Sequence, residues 1–146
     1  MTITGAITLA LAVLGAALGV INTWKALDRD KVKLRVVPKH AIPIGGADPR
    51  LTFCIEITNL SGFPVTIDEA GVFYKGTKHR GAYFPPVLCD GLPWPRRLEA
   101  RSSVTVYGQP PQPHGQHRLK CAYARTACGV TVEGTSGAFK QLAAGM

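Results

Sequence analysis

The sequence predicts an all-β domain, an antiparallel β-sandwich, carried behind a single transmembrane helix. Three observations point there. Residues 3–21 are mostly apolar and contain no charged residue. Beyond them, short runs alternate apolar and polar residues at strand period. The 11 Pro and most of the 16 Gly fall among those runs, where they break helices and favour turns.

The helix comes first in the chain. Nineteen residues from Ile3 to Ile21, each rising about 1.5 Å, span roughly 28 Å, close to the hydrocarbon thickness of a bilayer. Trp24 follows at the interfacial position, and Lys25 opens a basic run. Residues 1–24 therefore read as the anchor, in contact with the lipid bilayer through residues 3–21. Within it Thr8, Ala12, Gly15, Ala16 and Gly19 form one ridge of small side chains, which lets two backbones approach closely. That ridge is the candidate face for helix packing, with a second copy as one partner.

Residues 25–31 read as a basic juxtamembrane linker. Lys25, Arg29, Lys31, Lys33 and Arg35 crowd behind the helix, offset there only by Asp28 and Asp30. Such a collar attracts anionic lipid headgroups and sets orientation. No Lys or Arg precedes the helix, so the positive-inside rule places the N-terminus outside and the domain in the cytoplasm. A cleaved signal peptide is the rival reading. It lacks the basic n-region such signals use, and the apolar run is longer than usual.

Residues 32–134 read as the sandwich. Val32, Leu34 and Val36 alternate with Lys31, Lys33 and Arg35. Pro38 and Pro43 then suggest an irregular loop. The strongest strand is 51–58, with Leu51, Phe53, Ile55 and Ile57 on one face. Asn59 to Pro64 has turn chemistry. Val65–Ile67 and Ala70–Lys75 read as two further strands, separated by a solvated Asp68–Glu69 pair. A hairpin tip at Gly76–Gly81 leads into Ala82–Phe84. Pro85–Pro95 reads as a loop, Ser102–Tyr107 as a strand, Gln109–Gln116 as a loop, and Arg118–Arg125 and Val130–Glu133 as the last strands. Residues 135–146 are small and polar and read as a loosely ordered tail. About seven or eight short strands at this spacing suit two packed sheets.

The lay-out of Asn59–Ile67 followed by Leu98–Val106 resembles immunoglobulin-like sandwiches. The paired cysteines and strand-C Trp of antibody domains have no counterpart here, and the likeness carries no function.

The chain holds four cysteines, Cys54, Cys89, Cys121 and Cys128. A reducing compartment keeps them as thiols; in an exported domain they would make two disulfides. His114, His117, Cys121 and Cys128 are candidate zinc ligands by residue type, but C-x6-C is loose and Cys121 falls within a strand. The bland reading is polar loop histidines and small buried cysteines, and no cofactor is expected. No G-x-S-x-G, phosphate loop or dinucleotide fingerprint occurs, so the chain reads as non-enzymatic. The net charge of +8 raises nucleic acid as a ligand, but neither a basic groove-reading helix nor a sheet with interleaved aromatics is visible.

Trp94, Arg96 and Arg97 are the candidate protein-contact residues. Trp and Arg dominate interface hot spots, and the prolines flanking Trp94 hold it at low entropic cost. The competing reading folds Trp94 back onto the core. The expected function is a membrane-anchored binding or scaffold protein with an unidentified protein partner. One alternative is a structural component of a larger membrane-associated assembly, such as a membrane-containing virion or a secretion complex. Another is an exported, disulfide-bonded domain.

Overall fold

A computed structural model describes residues 2–145. The chain divides into two compact units, residues 1–31 and 32–146. The first unit holds helix α1, Ile3–Arg29, long and apolar enough to cross a membrane. None of its residues is buried. Its hydroxyls turn inward on its own backbone: Thr8 Oγ1 donates to Thr4 O at 2.9 Å, and Thr23 Oγ1 to Gly19 O at 2.9 Å. Back-bonding of this kind satisfies polar groups within a segment that lipid could not satisfy.

The second unit is mostly β, with eight strands in two antiparallel sheets among the described residues. Strands β1 (Leu34–His40), β2 (Phe53–Asn59) and β6 (Ser103–Gly108) form one sheet in the order β1-β2-β6. The other sheet runs β4 (Arg80–Ala82), β3 (Val65–Tyr74), β7 (Leu119–Thr126), β8 (Thr131–Gly134), and β5 (Arg96–Leu98) also pairs with β3.

Strand alternation sends one side chain in two into a shared core. Ile55, Ile57, Val104 and Val106 meet Ile67, Val72, Leu98, Leu119, Ala122 and Ala124 in one buried cluster. Each fully buried Ile, Leu or Val contributes roughly 1.5–3 kcal/mol relative to exposure. Phe53 closes the cluster at one end, its ring 6.1 Å from both Tyr83 and Phe139.

The sheets also approach at an edge. A Cβ on Gly134 would lie 1.8 Å from the Val36 carbonyl oxygen, so only glycine lets β8 pass the backbone of β1 there.

Four local readings of the sequence are corrected. Pro38 does not end the first strand; β1 continues to His40, with Pro38 opposite Ile55. β1 is an edge strand, so a missing N–H is tolerated. The two short strands around Asp68 and Glu69 are one strand, β3, with an irregularity in its pairing between Ile67 and Glu69. Arg96–Leu98, read as part of no strand, pairs with Val65–Ile67 as β5.

The tail is the fourth. Residues 137–144 form helix α2, Gly137–Ala144, instead of a loosely ordered segment. Ser136 caps it: its Oγ accepts from Phe139 N at 3.1 Å and donates to Pro38 O at 2.6 Å. Phe139 is buried to 1% exposure in the core cluster.

Asn59, a turn residue by sequence, is buried at the end of β2 and ties three segments together. Its Nδ2 donates to the carbonyls of Phe63 at 2.8 Å, Leu98 at 3.2 Å and Glu99 at 3.2 Å. Its Oδ1 accepts from Ser61 N at 2.9 Å. A buried amide needs such complete pairing, because each unmet bond costs about 1–3 kcal/mol.

Candidate functional site

The candidate contact residues sit where the long 83–95 loop returns to the sheet. Trp94 is half-buried against the core, and its Nε1 donates to the Asp68 carbonyl at 2.9 Å. The irregularity in β3 lies at that same Asp68. Two residues on, the Arg96 guanidinium donates to Asp90 Oδ2 at 2.7 Å, and its Nε is buried without a partner. Leu98, two further on, is buried in the core. Strand period thus sets Arg96 and Leu98 on the inner side of β5, opposite buried Ile67 and Val65. Arg97 alternates outward and is largely exposed, with its Nε 3.1 Å from Glu99. The three candidates therefore do not present one continuous surface. Trp94 occupies the folded-back position.

Asp68 and Glu69 are not a solvated turn pair. Arg125 reaches Asp68 at 3.1 Å and Glu69 at 3.3 Å, and Arg80 reaches Glu69 at 2.9 Å. The Tyr123 hydroxyl also donates to Glu69, while its ring stacks on Phe73 at 4.2 Å. Burial, and then the Glu69 carboxylate, raise the Tyr123 hydroxyl pKa far above its ordinary value. The Asp68 carboxylate raises the pKa of Arg125 in turn. These opposite charges pair with one another on the sheet.

The zinc candidates are not gathered. His114 and His117 pair through their backbones, and the His114 ring lies 5.5 Å from that of His79. His117 Nδ1 is 3.1 Å from the Lys75 carbonyl. Cys121 lies near the start of β7 with its Sγ 3.2 Å from Glu133 Oε2, whereas Cys128 lies past the far end of that strand. At about 3.3 Å per residue the two sulfurs are on the order of 15 Å apart, far beyond zinc-ligand geometry. Among the described residues no three His, Cys, Asp or Glu side chains converge as a metal site.

The thiols differ in environment. Burial pushes the Cys121 thiol up to about 12, assisted by Glu133. Burial raises Cys54 too. Cys128 is exposed and lowered, chiefly by its hydrogen bond with the Thr126 hydroxyl. All four are free thiols in this structure.

The basic collar is divided. Lys25, Arg29 and Lys31 fall in the helical unit, and Lys33 and Arg35 in the β unit. Arg35 shares Glu56 with Lys39, at 4.0 Å from the carboxylate. The helix face holds its small residues at the surface: a Cβ on Gly15 or on Gly19 would meet nothing within 4 Å.

The largest exposed apolar side chains of the β unit were not singled out from sequence. Ile42, Ile44 and Phe84 are 85%, 87% and 89% exposed. Ile42 and Ile44 lie in the loop between His40 and Phe53, and Phe84 adjoins Tyr83, whose ring stacks on Phe53. The two loops therefore share one end of the domain. The signal lay in apolar residues set beside prolines, Ile42-Pro43-Ile44 and Phe84-Pro85. The chain matches no protein-family model, and comparison with curated proteins finds no similar sequence.

Proposed function

We propose that this protein is a membrane-anchored, non-enzymatic scaffold. One transmembrane span, α1, carries an immunoglobulin-like β-sandwich at the cytoplasmic face. The observation that carries the reading is α1 itself: 27 helical residues, no charge before Lys25, and no buried residue. An apolar surface that long needs a solvent other than water.

The basic residues after the span support the orientation. Lys25, Arg29 and Lys31 follow the apolar run, and residues 1–24 carry no Lys or Arg. Protein contacts are made through the exposed apolar loops at Ile42, Ile44 and Phe84, with Arg97 as an accessory contact. Proline-held apolar tips lose little freedom on binding. Headgroup contacts fall to Lys25, Arg29, Lys31, Lys33 and Arg35.

The test is topology mapping in a bacterial inner membrane. A C-terminal alkaline phosphatase fusion is expected to be inactive, and the matching fluorescent-protein fusion bright. An active phosphatase fusion reverses the orientation and revives the exported-domain reading. A protein released by alkaline carbonate overturns the anchor.

A further inference from the structure

The β unit contains a cleft of about 520 Å³ between α2 and the start of β7. Lys75, Arg118, Lys120 and Lys140 line it, and no acidic residue does. Lys120 is committed, with its Nζ 3.0 Å from both carboxylate oxygens of Glu133. Lys75, Arg118 and Lys140 have no acidic partner among the described residues. The fold forces the first two together: Lys75 N donates to Arg118 O at 2.8 Å where β3 and β7 part. Lys140 comes from α2, which buried Phe139 and the Ser136 cap hold in place. The floor is apolar, formed by Leu119 and Phe139.

Three like charges set around one opening repel one another and create a positive potential that an anion relieves. Arg with two Lys suits a doubly charged, multi-oxygen group, since guanidinium binds phosphate in a planar fork and ammonium adds point charge. The apolar floor then asks for a hydrocarbon body beside the charge. A volume in this range is that of a small-molecule site. We propose that the cleft binds a phosphate monoester with an apolar body. This inference does not depend on α1 spanning a membrane.

The probe is hexyl phosphate, titrated calorimetrically into the full chain in phosphatidylcholine nanodiscs, with inorganic phosphate as comparison. Hexyl phosphate is expected to bind at least tenfold more tightly than inorganic phosphate. Lys75→Gln with Arg118→Gln and Lys140→Gln should weaken it at least tenfold. All three side chains are exposed, so an unchanged melting temperature serves as the folding control. Ala144→Trp keeps every charge and fills the cleft, and should also abolish binding. The control Lys25→Gln with Lys31→Gln should leave it unchanged. Competition by phosphatidic acid vesicles, but not by phosphatidylcholine vesicles, would mark a lipid as the natural source; no competition by either, with hexyl phosphate still bound, marks a soluble ester. No binding, equal binding of the two phosphates, or full retention in the Gln variant or in Ala144→Trp overturns the assignment.

Discussion

The two helices of this protein exist for opposite reasons. Helix α1 has 27 residues, an N-cap, Thr2, without a side-chain hydrogen bond, and no buried residue. Helix α2 has 8 residues, a capping Ser136, and one side chain, Phe139, sunk into the core. An isolated helix below about 12 residues is marginal in water, because nucleation costs more than so few bonds return. α2 is therefore a consequence of docking, while α1 is long enough to be helical alone and exposes apolar side chains along its length. Helicity in one is set by composition, and in the other by a binding site for a phenyl ring.

The strongest way to break that contrast is to charge α1. Leu11→Arg with Leu14→Arg places two guanidinium groups mid-helix, each costing roughly 2.5–3.5 kcal/mol on insertion. Alkaline carbonate should then extract the protein, while the melting of the β unit stays unchanged. Retention in the membrane pellet would show that something other than α1 holds it.

Removing the anchor of α2 comes next. Phe139→Ala should cost about 3–5 kcal/mol, the range for deleting a buried aromatic ring. For a domain of this size that lowers the melting temperature by roughly 10–20 °C in near-ultraviolet circular dichroism. Thiol labelling reads the cysteines of the β unit separately. The thiolate is the reactive form. Lowered Cys128 is expected to label first and at lower pH, whereas Cys121, pushed up to about 12, stays protonated and silent through pH 9. A loss under about 1 kcal/mol would mean that α2 docks without Phe139.

Ser136→Ala tests the cap alone. It removes the bond to Phe139 N and the bond to the Pro38 carbonyl, for a loss of about 1–2 kcal/mol. A loss equal to that of Phe139→Ala would make the cap, not the ring, the determinant of α2.

The smallest effect concerns α1 as a packing surface. Lipid supplies no hydrophobic force between helices, so any pairing of α1 in a membrane would draw on close approach at Gly15 and Gly19. Gly15→Ile with Gly19→Ile should reduce self-association in a membrane two-hybrid assay by roughly tenfold, about 1.4 kcal/mol, with insertion intact. Leu11→Ile should change nothing. Equal association in both variants would assign any oligomer to the β unit.

Composition and period were sufficient for part of this molecule. The uncharged 3–21 run specifies a long apolar helix because it holds no charged residue and no Pro. Alternation at 53–57 and 104–106 specifies strands because one face must be buried and the other not. Tertiary structure decided the rest. Pro38 stays in a strand because β1 is an edge whose ladder can lose a donor. Arg96–Leu98 is a strand only because β3 offers it free backbone groups. Trp94 turns inward because the Asp68 carbonyl at the β3 irregularity accepts its N–H. The 137–144 segment is helical because β1 supplies a carbonyl to Ser136 and the core supplies a place for Phe139. Each of these depends on a partner distant in sequence, and local propensity carries no information about such partners.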